Sequence, residues 1–151
     1  MTTISNTNTG GIVKTIQKSL RIPEEIAKPI QELADLSKRD FSSAAIELLD
    51  EAVKMRRCPS IIFADGPTGR RARIAGTGLD VWEVIATFKS VDQDPARLRQ
   101  AYSWLSEAQL RAALGYYVGY REEIDRLITL NERWTPESLR NRHPSLAVNR
   151  P

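Results

Sequence analysis

Residues 14–53 have the sequence KTIQKSLRIPEEIAKPIQELADLSKRDFSSAAIELLDEAV, and this stretch decides the fold of the N-terminal third. At its start the apolar residues Ile16, Leu20 and Ile22 alternate with polar ones. A period of two is typical of a strand with one buried face, and Pro23 ends such a strand because it cannot donate to a ladder. The pattern therefore predicts a strand that begins near residue 12.

Two helical segments follow Pro23. Apolar residues recur at helical spacing at Ile26, Ile30, Leu33 and Leu36, and again at Phe41, Ala45, Leu48, Leu49 and Ala52. Pro29 lies inside the first segment, where it removes a backbone donor, so we expect a kink or a late helix start there. One strand and two helices cannot bury enough apolar surface alone, and a lone strand lacks a hydrogen-bonding neighbour. We therefore expect residues 12–57 to pair with a second copy of the chain.

This order of one strand and two helices resembles the ribbon-helix-helix family of the MetJ, Arc and CopG repressors over residues 12–57. In that family two subunits pair their strands into an antiparallel ribbon, which enters the major groove of operator DNA and reads base edges with alternate side chains. Aligned on the step from Leu20 to Pro23, the resemblance implies that Gln17, Ser19 and Arg21 contact bases. Gln suits adenine, Arg suits guanine, and Ser suits donors or acceptors. The alternative for these three residues is an ordinary solvated strand face.

The resemblance also implies a phosphate contact at the start of the second helix. The family's backbone amides at that place map to Ser42 and Ser43, where a phosphate would lie at the positive end of a helix. Lys18 departs from the family, which usually buries an apolar residue at this position. Its aliphatic stem can fill the place while its ammonium reaches solvent or a phosphate.

A second module begins at Cys58, where proline, glycine and arginine become frequent. Two short strands are predicted at residues 61–63 and 72–74, on either side of a turn at residues 65–69. Residues 76–78 have the sequence Gly-Thr-Gly, which predicts another tight turn. A phosphate-binding loop would require further residues of a nucleotide-binding motif, and this segment does not have them.

Four helices are predicted in the rest of this module, with starts near Leu79, Asp94, Ser106 and Tyr120. Ser106 and Gln109 have the spacing of a capping box. The apolar face of the last helix, formed by Ile124, Leu127 and Ile128, either completes the core or docks against a partner.

Residues 58–130 resemble a small bacterial domain of unknown function found in VapB-like antitoxins. The resemblance is carried by IIFADGPTGRRARIAGTGLDVWEVI, which starts at Ile61, and by LRQAYSWLSEAQLRAALGYYVGYREEIDRL, which starts at Leu98. It implies a helix-turn-helix-like or winged bundle, commonly encoded beside a PIN-like ribonuclease toxin. Gly78 departs from the pattern, because members often have an arginine after the Gly-Thr of the central turn, so no base contact is carried over to it.

Three cations, Arg70, Arg71 and Arg73, accompany the predicted hairpin. They suit DNA phosphates or an acidic partner surface, and the alternative is a solvated basic loop. If the partner is a PIN-like toxin, an inserted guanidinium from Arg71 could neutralise the carboxylates that bind its metal.

Composition excludes several kinds of protein. The chain has 151 residues with one cysteine and one histidine, so intrachain disulfides, clustered Cys/His zinc sites and His-based triads lack the required residues. No apolar run approaches the ~18 residues of a membrane span, so we expect a cytoplasmic protein without membrane contact. A net charge of +3 is too small for a strong general field, so DNA binding depends on local placement and dimerisation. The aromatic residues of the apolar helical segments are expected in the core: Trp82, Trp104, Tyr116 and Tyr117.

The predicted fold is mainly α with small β. It comprises a disordered tail at residues 1–11, a dimeric ribbon-helix-helix at 12–57, a helix-turn-helix-like (winged) helical bundle at 58–130 and a C-terminal tail at 131–151. The predicted protein is a homodimeric DNA-binding repressor, the antitoxin of a type II toxin–antitoxin pair. It would bind double-stranded operator DNA and a PIN-like toxin, with no enzyme activity, cofactor or metal.

Three alternatives remain at this point. The first is a free-standing repressor that binds DNA with both modules and has no toxin. The second is an enzyme with Cys58 as nucleophile or with Asp65 and Asp80 as metal ligands, although each lacks a base or a third ligand. The third is an adaptor whose ribbon only pairs subunits.

Overall fold

A computed structural model describes residues 14–133 of the chain. Within them lie six helices and two strands: α1 Glu24–Leu36, α2 Phe41–Arg57, β1 Ile61–Gly66, β2 Gly69–Ile74, α3 Val81–Ser90, α4 Pro95–Ala101, α5 Glu107–Gly119 and α6 Arg121–Glu132. The fold is mainly helical with a two-stranded antiparallel sheet, as predicted. The predicted tail at 1–11, the start of the predicted strand and most of the predicted C-terminal tail lie outside the described residues. The first residues assigned to that C-terminal tail instead complete α6.

The predicted N-terminal strand is not a strand in the single chain. Residues 15–22 belong to no helix or strand, and their side chains are exposed. A strand requires a neighbour to form a ladder, and the neighbour expected here is a second copy of the chain.

Helix α1 begins directly after Pro23, so of the two outcomes expected at Pro29, a kink or a late helix start, the late start is wrong. The carbonyl of Pro23 accepts hydrogen bonds from the amides of Ile26 and Ala27, both at 3.0 Å. Pro29 lies in the second turn, where its missing amide leaves only the carbonyl of Glu25 without its usual donor. The helix therefore includes Pro29 rather than beginning after it.

The chain divides into two compact units between Glu47 and Leu48. We call them the N-terminal unit and the C-terminal unit. The division falls inside α2 rather than at its end at Arg57, because Glu51 and Lys54 of this helix make ion pairs with Arg70 and Glu123 of the C-terminal unit.

The C-terminal unit has a continuous apolar core. Strands β1 and β2 pair from Ile61 with Ile74 to Gly66 with Gly69, so that residues 67–68 form the turn, inside the predicted segment. The core is filled from the hairpin and from every later helix, by Ile61, Ala72, Ile74, Val81, Val84, Ile85, Leu98, Leu105, Leu110, Ala113, Tyr116, Ile124, Leu127 and Ile128. The apolar face of α6 therefore completes this core.

Helix starts in this unit follow the sequence pattern. The side chain of Asp94 accepts from the amide of Ala96 at 2.8 Å at the start of α4. The predicted capping box of α5 is present, since the Gln109 amide donates to Ser106 Oγ at 3.1 Å and the Ser106 amide donates to Gln109 Oε1 at 2.9 Å. Among residues 14–133, no helix combines the length and the apolar character that crossing a membrane requires.

The aromatic residues divide between core and surface. Tyr116 is fully buried, and Trp82 and Tyr117 pack against the core. Trp104 is 63% exposed, so its predicted place in the core is wrong. It lies in the connection between α4 and α5, where the adjacent Leu105 enters the core instead.

Candidate nucleic-acid and partner interface

The residues predicted to contact bases lie on the exposed segment 15–22. Gln17, Ser19 and Arg21 are all exposed. The residues between them are exposed as well, since Ile16 and Leu20 are each 71% accessible. In the single chain both sides of this segment therefore face solvent, including the side that the alternation assigns to a core.

The helices of the N-terminal unit also leave much apolar surface uncovered. Ala34 and Ala44 are its fully buried hydrophobic residues among those described. By contrast Ile26 is 51%, Ile46 64% and Leu36 85% exposed. Full burial of such a side chain contributes about 1.5–3 kcal/mol, so this surface favours association.

The start of α2 places a carboxylate beside the expected phosphate site. Ser42 and Ser43 are exposed there. However, the amide of Ser43 already donates to Asp40 Oδ1 at 2.7 Å. Hydrogen bonds from the hydroxyl and the amide of Ser43 hold the pKa of Asp40 below its usual value. A phosphate at this helix end would meet the carboxylate of Asp40. The family resemblance did not indicate this carboxylate.

The turn before α2 is held by a bidentate ion pair. Arg39 Nη1 and Nη2 donate to the two carboxylate oxygens of Glu47 at 2.9 and 3.0 Å. The paired guanidinium geometry fixes the side chain more strongly than a single contact would. The segment that presents Ser42 and Ser43 is therefore anchored to the second turn of its own helix.

Arg70 pairs with a buried carboxylate on α2. Its Nε and Nη2 donate to Glu51 Oε1 and Oε2 at 2.8 and 2.9 Å. Glu51 is only 6% exposed, and its hydrogen bond raises the pKa of Arg70 above the usual value. Asp65, on the same hairpin, adds a weaker contact to Nη1 at 3.3 Å.

Arg71 is enclosed rather than solvated. The residue is 6% exposed, and Nη1 donates to Asp80 at 3.3 Å while Nη2 donates to Thr68 at 3.1 Å. A Cβ on Gly66 would lie 2.3 Å from Arg71 Nε, so the absence of a side chain at Gly66 makes room for this arginine. Inserting the Arg71 guanidinium into a partner would first require breaking these contacts.

Asp80 also binds Arg73. The Arg73 Nε donates to Asp80 Oδ1 at 2.8 Å, so one 5% exposed carboxylate neutralises two arginines. Asp80 directly precedes α3, and its amide donates to Glu83 Oε2 at 2.8 Å. The spacing of Asp80 and Glu83 matches a capping box and could have shown that Asp80 is a structural residue. The structure thus brings the predicted cations into ion pairs instead of a free basic loop.

A second cluster attaches α2 to α5 and α6. Lys54 Nζ donates to Glu123 at 2.6 Å, and Tyr116 Oη donates to the other Glu123 oxygen at 2.8 Å. Burial lowers the pKa of Lys54, but the hydrogen bonds to Asp50 and Glu123 outweigh it and raise the pKa. Burial and the neighbouring Glu123 also raise the pKa of Tyr116. No pattern in the sequence pointed to this cluster.

The residues considered for catalysis do not assemble. Burial raises the pKa of the Cys58 thiol, which disfavours the nucleophilic thiolate. Asp65 and Asp80 both face arginines. Within residues 14–133 there is no group of three or more His, Cys, Asp or Glu side chains placed to hold a metal ion.

Part of the C-terminal unit matches the model of a family. Residues 64–117 match the model of a protein of unknown function (DUF433). This segment contains all three hairpin arginines and Asp80, and it lies inside the module expected from the sequence. No curated protein and no solved structure matches the chain.

Proposed function

We propose that this protein is a homodimeric DNA-binding regulator in which residues 12–57 form a ribbon-helix-helix. The observation that carries the proposal is the exposure of Ile16 and Leu20, with their polar neighbours, directly before two helices with uncovered apolar surface. Pairing with a second copy would give the segment its ladder and cover these side chains. The same pairing would leave Gln17, Ser19 and Arg21 on the outer side of the ribbon.

We further propose that the regulator is the antitoxin of a type II toxin–antitoxin pair. The support is the resemblance of residues 58–130 to a domain found in VapB-like antitoxins, and residues 64–117 of this segment match the DUF433 model. In this proposal the N-terminal unit represses the operon and the C-terminal unit, a helix-turn-helix-like bundle, neutralises a PIN-like ribonuclease. The protein acts in the cytoplasm by binding, without catalysis of its own.

DNA binding is tested with the duplex upstream of the protein's own reading frame. The full chain should sediment as a dimer and shift this duplex in a gel. The double variant Gln17→Ala, Arg21→Ala should stay dimeric and lose the shift. Arg126→Ala, an exposed arginine on α6, removes a positive charge elsewhere and should retain it. A folded monomer, or a double variant that binds as well as wild type, would contradict the proposal.

Toxin binding is tested with the product of the adjacent reading frame. Co-expression should yield a stable complex, and the purified neighbour should cleave RNA only when released from it. A neighbour that neither binds this protein nor cleaves RNA would exclude the antitoxin role and leave the regulator role intact.

A further inference from the structure

An apolar groove lies between α4 and α5. It has a volume of about 510 Å³, within the ~300–1,000 Å³ typical of binding clefts. Leu98, Leu110 and Leu114 line it, and Pro95 and Ala96 form its edge on α4. Both edge residues are exposed, so the groove opens to solvent.

The apolar surface continues along α5 beyond the groove. Leu110, Leu114 and Val118 are spaced four residues apart and so share one helix face, and Val118 is 74% exposed. From Leu110 to Val118 the face is about 12 Å long at ~1.5 Å per residue. This length matches just over two turns of a bound helix with apolar residues every three or four positions.

Charge at the groove favours an acidic occupant. Arg99 from α4 and Arg111 from α5 both line it, against the single carboxylate of Glu107. Glu107 contacts Arg111 at 3.0 Å, but both side chains are largely exposed, so this pair contributes little and can be exchanged. The excess of one positive charge would complement acidic side chains beside an apolar face.

The chain's own undescribed segments do not fit this chemistry. Residues 134–151 contain Arg140, Arg142 and Arg150 but only one acidic residue, Glu137. Residues 1–13 contain no charged side chain. DNA is also a poor match, because the groove walls are apolar and Glu107 would face the phosphates. The net positive charge of the groove lining favours a separate protein with acidic side chains as the occupant.

We infer that the groove between α4 and α5 binds an amphipathic helix of a partner protein, with an apolar face and acidic flanks. The inference rests on the proposed antitoxin function for the partner's identity, and it assigns partner binding in the C-terminal unit to this groove rather than to the hairpin arginines. Those arginines are paired with Glu51 and Asp80, whereas in the groove Pro95, Ala96 and Leu114 leave apolar atoms accessible to solvent above the buried Leu98 and Leu110.

The probe is a display library of helical peptides, selected on the immobilised full-length protein. We expect enrichment of peptides with apolar residues at helical spacing and with Asp or Glu beside them. Ala96→Trp should fill the groove and weaken binding of a selected peptide at least about tenfold. Ala108→Trp is the matched control, because Ala108 is exposed on α5 but does not line the groove. Circular dichroism checks that both variants fold.

A second pair of variants tests the charges without adding bulk. The double variant Arg99→Glu, Arg111→Glu should weaken the acidic peptide, and Arg126→Glu should not. Overturning results are no enrichment, enrichment of basic peptides, equal binding to Ala96→Trp, or displacement of the peptide by upstream DNA. A gel shift with the wild-type protein separates the two proposals: intact DNA binding without enrichment of any helical peptide overturns the groove alone, whereas peptide binding without DNA binding overturns the regulator.

Discussion

Glu51 and Arg70 form a bidentate ion pair at 2.8 and 2.9 Å that attaches the second half of α2 to strand β2. Glu51 is almost fully buried, while the second carboxylate on Arg70, that of Asp65, has a side chain that is 91% exposed. The same guanidinium therefore has one buried and one solvated partner. This difference in burial should determine what each partner contributes to stability.

Glu51→Gln should destabilise the C-terminal unit by about 1–3 kcal/mol, because it removes the charge that neutralises Arg70 and leaves an amide in a buried place. Asp65→Asn should change the free energy of unfolding by less than ~0.5 kcal/mol, since an exposed ion pair contributes little. Urea unfolding followed by circular dichroism measures both. Equal losses in the two variants would show that burial does not distinguish the carboxylates.

Gly66→Ala should destabilise the hairpin by about 1–3 kcal/mol, because the new methyl group would overlap the Arg71 side chain and displace it from Asp80. Gly78→Ala is the matched control, since a Cβ there has no atom within 4 Å and the change should lie within ~0.5 kcal/mol.

A double-mutant cycle distinguishes overlap with the Arg71 side chain from a general effect of Gly66→Ala on the turn. In an Arg71→Ala background the overlap is absent, so Gly66→Ala should cost much less than in wild type. An unchanged cost in that background would mean that Gly66 acts through the backbone and not through Arg71.

Much of the secondary structure follows from sequence, because its causes are local. The turn between the two predicted strands, the Ser106–Gln109 capping box and the residues that start helices α4 and α5 depend on sequence a few positions apart. Trp104 was assigned wrongly because spacing places a residue on a face but does not show which of two neighbours, Trp104 or Leu105, enters the core.

The ion pairs of the candidate site were not predictable in the same way. Arg70 on β2 pairs with Glu51 on α2, and Lys54 on α2 pairs with Glu123 on α6. Both pairs join residues that are far apart in the sequence. The hydrophobic periodicity of the sequence assigns such charged residues to a solvent-exposed face. It contains no information on ion pairs between segments that are distant in the sequence. The base-contacting residues Gln17, Ser19 and Arg21 remain predictions, since they depend on a second copy of the chain.

Alkaline pH should destabilise the cluster of Lys54, Glu123 and Tyr116. The pKa values of Lys54 and Tyr116 are both raised in the folded protein. Their contribution to stability is therefore complete below pH ~10, where both groups are protonated in the unfolded chain as well. It is lost as the pH rises above that value. Tyr116→Phe should lower the free energy of unfolding by about 1 kcal/mol at pH ~7, because Glu123 loses one hydrogen-bond donor. Above pH ~10 this variant should lose less additional stability than the wild-type protein. Urea unfolding across this pH range tests it, and parallel curves for the two proteins would contradict it.

Asp40→Asn should strengthen binding to the upstream duplex if the protein is the proposed regulator. Asp40 is charged at neutral pH, hydrogen bonds from Ser43 lower its pKa further, and it lies at the helix end where the family contacts phosphate. Asn is an equally good capping residue, so the start of α2 should persist while the repulsion disappears. A gain of about two- to fivefold corresponds to ~0.3–1 kcal/mol at a helix N-terminus.

Fluorescence anisotropy over a salt series measures the change in DNA affinity. Asp35→Asn on α1 is the control, because it removes the same charge elsewhere. An equal gain in that control would assign the effect to net charge, and no gain in Asp40→Asn would mean that phosphate does not approach the start of α2.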